Sequence, residues 1–244
     1  MQLLYNRETL ALPLSPLRPA SAQGKIEFRD VRFGYEPEHP VLEHFSLTIR
    51  AGQTLAIVGA TGSGKTTIIN LLERFYDPDE GQILLDGIDL RALDPDWLRR
   101  QVGLVMQDVF LLPGSIRDNI LLDTDKTDAA VWAILEKAQL SRFVRQLPDG
   151  LATQVGEGGM DLSAGQRQLL ALARVLVREP RILVLDEASA SIDPESEMLT
   201  AQAIAATFAG RTNIVIAHRL STISRAQNIL VLADGRIIDQ GSHA

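Results

Sequence analysis

The chain contains no cysteine, which excludes a disulfide scaffold, a thiolate metal centre and thiol catalysis. Histidine is scarce as well: His39, His44, His218 and His243 are scattered and show no metal-ligand spacing. Positive charge is not in excess. Lys and Arg number 24 against 31 Asp and Glu, a net charge of −7, which argues against a broad nucleic-acid footprint or a basic membrane-binding face but not against one local basic pocket. No apolar run approaches the roughly 20 residues of a membrane span. The best candidates, Leu169–Val177 and Ile182–Leu185, are interrupted by Arg174 or far too short. The first eight residues also lack the basic-then-apolar layout of a secretory signal.

What remains is a composition close to the globular average. The 244 residues are 45% hydrophobic and 23% charged, enough for one large domain or two small ones with a core that needs no covalent staples. Residues 1–24 read as a linker, because Pro13, Pro16 and Pro19 punctuate a Leu/Ala/Ser stretch without helical or strand period. At Lys25 an apolar strand pattern begins with Ile26, Phe28 and Val31 and ends at Phe33-Gly34-Tyr35. Thr54–Val58 reads as a short strand, followed by a glycine-rich loop and a helix from about Lys65 to Tyr76. Ile83–Leu85 and Val102–Met106 read as strands. Residues 110–180 are mainly helical (Asp128–Ala138, Leu140–Leu147, Ser163–Val177). The β-branched runs Ile182–Leu185, Asn213–Ala217 and Ile229–Leu232 suit a parallel sheet covered on both faces.

Two stretches carry chemistry on their own. Gly59-Ala60-Thr61-Gly62-Ser63-Gly64-Lys65-Thr66, followed by Thr67, fits G-x-x-x-x-G-K-[ST] between a strand and a helix. Glycines there let backbone N–H groups curl toward phosphate oxygens, and the helix adds its positive N-terminal end. Lys65 supplies a full charge, and the Thr66 hydroxyl can ligate Mg²⁺. Farther on, Ile182-Leu183-Val184-Leu185 ends in Asp186-Glu187. Carboxylates at the end of a buried strand need a partner or a cation. Asp186 is placed to hold Mg²⁺, and Glu187 to orient a water and accept its proton.

Between these two stretches lies Leu162-Ser163-Ala164-Gly165-Gln166, with Arg167-Gln168 after it, which resembles the LSGGQ signature of ATP-binding cassette (ABC) proteins. The resemblance extends, in the family's order, to Tyr35 as the adenine-stacking aromatic, Gln107 in the Q-loop, Asp193 in the D-loop and His218 as the switch histidine. It covers roughly Ile26 to Gly241. It implies an α/β P-loop NTPase fold: an ABC ATPase core over residues 25–244, with an N-terminal antiparallel β-subdomain and a helical signature subdomain at about 110–180.

The resemblance also implies ATP and Mg²⁺ as ligands. Glu187, His218 and Lys65 are then catalytic, Thr66, Gln107 and Asp186 serve the metal, and Ser163, Ala164, Gly165, Gln166 and Asp193 act across a head-to-tail dimer of two cassettes. Two positions depart from the family pattern: Ala164 where glycine is usual, and Ala190-Ser191 where Ser-Ala is usual. Either alanine is tolerated, or the natural partner is a different cassette with an unequal site.

Phe110 through Ile120 resembles the exporter stretch after the Q-loop. Val155-Gly156-Glu157-Gly158-Gly159 resembles the exporter segment that touches transmembrane coupling helices, with Glu157 as the contact. The reading is thus the nucleotide-binding domain of an exporter-type transporter, on the cytoplasmic face of the membrane. Residues 1–24 would connect it to an absent transmembrane domain, its C-terminal end would be truncated, and no nucleic-acid partner is expected. The alternatives are a DNA- or ribosome-associated ABC clamp, or a regulatory module without turnover, which the presence of Glu187 and His218 opposes.

Overall fold

The computed structural model describes residues 10, 13–36, 38–106, 109–186, 194–217, 223 and 225–242. The N-terminal part is a four-stranded antiparallel sheet of β1 (Ile26–Phe33), β2 (Leu42–Ile49), β4 (Glu80–Leu85) and β5 (Ile88–Asp89), in the order β2-β1-β4-β5. Ile26 opposes Ile49 on one side and Leu85 on the other. Alternate residues of β2 are buried, the signature of a half-covered strand. The β4–β5 hairpin turns on Asp86-Gly87, both at positive φ, as a two-residue turn matched to strand twist requires. The Asp86 carboxylate also accepts the N–H groups of Gln23, Gly24 and Lys25. With the Leu17–Leu93 bridge and the Arg18–Asp94 ion pair at 2.9 Å, this holds residues 17–25 against the domain.

The second sheet has six strands in the order β12-β11-β3-β10-β9-β6: β3 (Thr54–Val58), β6 (Val102–Val105), β9 (Ile182–Asp186), β10 (Thr212–Ile216), β11 (Asn228–Ala233) and β12 (Arg236–Gly241). All pairings are parallel except β11–β12, a hairpin on Asp234-Gly235. Both faces are covered. Leu55, Ile57, Ile182, Val184, Ile214 and Ile216 point into the core shared with the antiparallel sheet and α1 (Lys65–Leu72). Ala56, Leu183, Leu185 and Val215 point into a second core, built with the helical insertion. This is why these strands read as unbroken apolar runs.

The insertion comprises α3 (Ile116–Leu121), α4 (Asp128–Lys137), α5 (Ser141–Gln146) and α6 (Ala164–Leu176), with a two-residue pair of strands, β7 (Gly114–Ser115) and β8 (Gln154–Val155). It follows α2 (Pro95–Gln101) and β6, and α7 (Pro194–Phe208) lies beyond β9.

The outline expected from sequence holds, with additions and one correction. β2, β5, α2, β7, α3, β8, α7 and β12 were not anticipated. The helix expected to run to Tyr76 ends at Leu72, because Arg74 turns to φ +51° and buries its side chain (1% exposed) with its guanidinium on Asp77. Among the described residues no helix is long and apolar enough to cross a membrane.

Candidate nucleotide-binding site

β3 delivers the chain to Gly59 at the C-terminal edge of the parallel sheet, the place where α/β sheets bind ligands. Only glycine fits at two points of the loop that follows. A Cβ on Gly59 would lie 2.3 Å from the Leu232 carbonyl oxygen, and Gly64 sits at φ +105° immediately before α1. No side chain caps α1, so its first-turn N–H groups are left to an outside acceptor. Lys65 folds back over the loop, its Nζ donating to the Gly59 and Ala60 carbonyls at 2.8 Å each. The β11–β12 hairpin braces the loop through the Gly235 N–H, which donates to Ser63 O.

A cavity of about 530 Å³ opens here, lined by Tyr35, Val41, Thr61, Gly62, Gly64, Lys65, Thr66, Thr67, Asp186 and Ile216. Its volume suits a drug-sized ligand. Tyr35 is held by edge-on contacts with Phe33 and Tyr76, at 5.1 and 5.3 Å between centroids. Its hydroxyl meets Thr67 Oγ1 at 3.3 Å and accepts from Asn70 Nδ2 at 2.9 Å. The ring is therefore fixed at the cavity wall with its apolar surface available. Thr66 and Asp186 bring oxygen donors of the kind Mg²⁺ prefers to the same cavity.

The tertiary structure thus joins Tyr35, the 59–67 loop and Asp186. Ser163, Ala164, Gly165 and Gln166 are elsewhere, at the start of α6, and none of them lines this cavity. Ser163 is an N-cap there, its Oγ accepting the Gln166 N–H at 3.2 Å while Gln166 Oε1 accepts the Ser163 N–H at 2.9 Å. Glu157 is exposed in a turn between Gly156 and Gly158, both at positive φ. Gln107, Glu187, Asp193 and His218 lie outside the described residues.

Sequence reading passed over Val41 and Ile216, whose apolar side chains give no motif. It also passed over a second groove, of about 260 Å³, between the core and the insertion. Glu73, Phe75, Arg99, Leu122 and Arg174 line it, and Phe75 and Leu122 are 49% and 43% exposed. Desolvation pushes the Glu73 carboxyl up to about 7, against the opposing pull of Arg99.

Comparison with known proteins bears on this geometry. The family described as ABC transporter matches residues 42–190. An uncharacterized ABC transporter ATP-binding protein of Bacillus subtilis is 46% identical over 90% of this chain and 37% of its own length. ABC transporter B family member 1 of Arabidopsis thaliana is 46% identical over 91% of this chain and 18% of its own length. The exotoxin translocation ATP-binding protein PaxB of Pasteurella aerogenes is 47% identical over 91% of this chain and 31% of its own length. A solved bacterial Atm1-family ABC exporter with ATP bound superposes with a TM-score of 0.88 at 40% identity, over 98% of this chain and 42% of that one. The chain spans less than half the length of each of these proteins. With its phosphate loop, flanking sheet and helical insertion in place, this chain belongs to the ABC transporter family, as an ATP-binding ATPase domain close to those of exporter-type members.

Proposed function

We propose that this domain powers export by attached transmembrane domains, binding Mg-ATP, closing head to tail on a second cassette and hydrolysing the nucleotide. The observation that carries the reading is the cavity that joins Tyr35, the phosphate loop and Asp186. Adenine stacks on Tyr35. The triphosphate lies along the loop N–H groups and the positive end of α1, where Lys65 exchanges its two carbonyl partners for the β- and γ-phosphates. Thr66, Asp186 and Gln107 hold Mg²⁺, which when bound offsets charge on the phosphate oxygens. Glu187 orients the attacking water and takes its proton, His218 meets the γ-phosphate, and Asp193 acts through the opposite site.

In the dimer the α6 N-terminus of one cassette, with Ser163 and the N–H groups of Ala164 and Gly165, completes the phosphate site of the other. The transmembrane partner docks beside Gln107 and Glu157. The apolar side chains exposed nearby, Met106 at 61% and Phe110 at 74%, support that face as a covered one. The domain would then sit at the cytoplasmic face of a membrane.

The test is Glu187→Gln. Hydrolysis should fall by about 10²–10⁴-fold while ATP affinity is retained, the pattern of a lost general base. Sedimentation of that variant should show a dimer only with Mg-ATP. Unchanged turnover would refute the assignment of Glu187. Stimulation of the wild-type ATPase by nucleic acid would favour a clamp over a transporter.

A further inference from the structure

At the N-terminal ends of β9 and β10, the opposite end from the nucleotide cavity, lies an open cleft of about 740 Å³. Its charged lining is Lys137 at the end of α4, Glu179 and Arg181 before β9, and Arg211 before β10. Two of these cations are held by backbone carbonyls. Arg181 donates from Nε to Ala22 O at 3.0 Å and from Nη1 to Gly210 O at 3.4 Å. Arg211 donates from Nε to Pro180 O at 3.0 Å and from Nη1 to Thr207 O at 2.9 Å. Neither guanidinium forms an ion pair among the described residues. The one carboxylate lining the cleft among the described residues, Glu179, is engaged by Lys126 at 2.8 Å. Burial holds Arg211 below its usual range, and the like charge of Arg181 adds to that effect while Glu179 opposes it.

A chain of net charge −7 has therefore gathered three cations around one concavity against a single lining carboxylate, Glu179, which Lys126 already holds and which Lys137 and Arg211 also attract. Ordinary surface charge does not need this arrangement, since a solvated arginine gains nothing from a like-charged neighbour. The two guanidinium groups are fixed in place by those carbonyls, so less freedom is lost when an anion arrives, and the N–H groups that the carbonyls do not take are the donors for phosphate oxygens. A single carboxylate would offset one of the three cations, whereas a di- or triphosphate offsets them all. The cleft also has the size of a small-molecule site.

We propose that this cleft is a second anion site, separate from the ATP site, which takes the polyphosphate group of a small soluble molecule on Lys137, Arg181 and Arg211. The site does not depend on the transport reading. Free nucleotide and inorganic polyphosphate share the required chemistry.

The experiment is a titration of the isotope-labelled chain with inorganic tripolyphosphate at constant ionic strength, followed by backbone and arginine side-chain NMR. Residues 60–67 report the nucleotide site, and residues 179–181 and 209–211 report the cleft. One titration thus reads the two separately, and the failure of either is distinguishable from the failure of the other. Saturable shifts at the cleft are expected, weakened about tenfold by Lys137→Glu or Arg181→Gln while shifts at 60–67 persist. Lys137 is exposed, so its variant keeps the fold even if an arginine variant does not. ADP binding the cleft at least as tightly as tripolyphosphate assigns a nucleotide as occupant, and weaker ADP binding assigns inorganic polyphosphate. The proposal is overturned if cleft resonances stay still at millimolar tripolyphosphate, if they respond equally in Lys137→Glu, or if a tetraglutamate peptide binds there more tightly.

Discussion

Helices α1 and α6 both begin where the proposed function places a phosphate, yet they are finished in opposite ways. The N-cap of α1 is Gly64 in a left-handed conformation with no capping side chain, and Lys65 waits over the loop on two carbonyls. The N-cap of α6 is Ser163 in a reciprocal capping box with Gln166. One helix leaves its orphan N–H groups for a ligand. The other satisfies part of its own requirement and forms without one. Their far ends contrast too. The C-cap of α1 is the buried Glu73, set against the negative end of the helix. The last turn of α6 carries Arg174, whose guanidinium donates to Asn119 O and Oδ1 and to Phe110 O. Both ends line the same groove. The loop before α1 is thus organised around a ligand and α6 around its own fold, which suits a primary phosphate site and a second site completed across a dimer.

The largest effect expected on this contrast is from Lys65→Ala. Losing a charge-assisted contact to phosphate should weaken ATP binding by about 10- to 100-fold, measured by calorimetry on the isolated domain. An unchanged affinity would mean that the α1 end alone suffices. Next is Glu73→Gln. The folded-state value of about 7 lies above the ordinary 4.5, so the folded chain holds this proton more tightly. The stability gained is complete below about 4.5 and is lost as pH rises through about 7. The variant should therefore be more stable than the parent by about 3 kcal/mol at pH 8 and close to it near pH 4.5, as read from paired denaturation curves.

Gly64→Ala comes third. A side chain at φ +105°, with its Cβ 3.0 Å from Leu42 Cδ2, should cost about 1–2 kcal/mol of stability and disturb nucleotide binding as well. Smallest is Ser163→Ala, expected to cost about 1 kcal/mol through the lost cap. Under monomeric conditions it should leave ATP affinity unchanged. A loss of monomer affinity there would erase the distinction between the two helix ends.

Much of the molecule was legible because its signals are local. Thr54–Val58 forms the expected strand to the residue, and Ile182–Leu185 and Ile229–Leu232 fall inside β9 and β11, since short β-branched apolar runs suit the strands of a sheet covered on both faces. β12 was missed although Asp234-Gly235 is a strong hairpin signal, and Asp86-Gly87 announces β5 in the same way. β2 was legible in its alternation from Leu42 to Ile49 but carries polar residues on its open face. α7 hid for a different reason: its Ala/Thr-rich stretch buries Thr200, Ala203, Ile204 and Thr207 without a strong apolar stripe. The extension of α1 to Tyr76 failed because helical propensity does not register that Arg74 leaves the helix to bond Asp77 and the Leu93 carbonyl.

The phosphate loop, the capped start of α6 and the apolar strands are written in the order of residues alone, because each depends on backbone geometry and hydrogen bonds spanning a few residues. That Tyr35 and Asp186 share a cavity with Lys65, that Glu73 loses its water, and that Lys137, Arg181 and Arg211 line one cleft came only with the packed fold. Desolvation and charge proximity are set by whatever packs in from distant parts of the chain, and no local pattern records that.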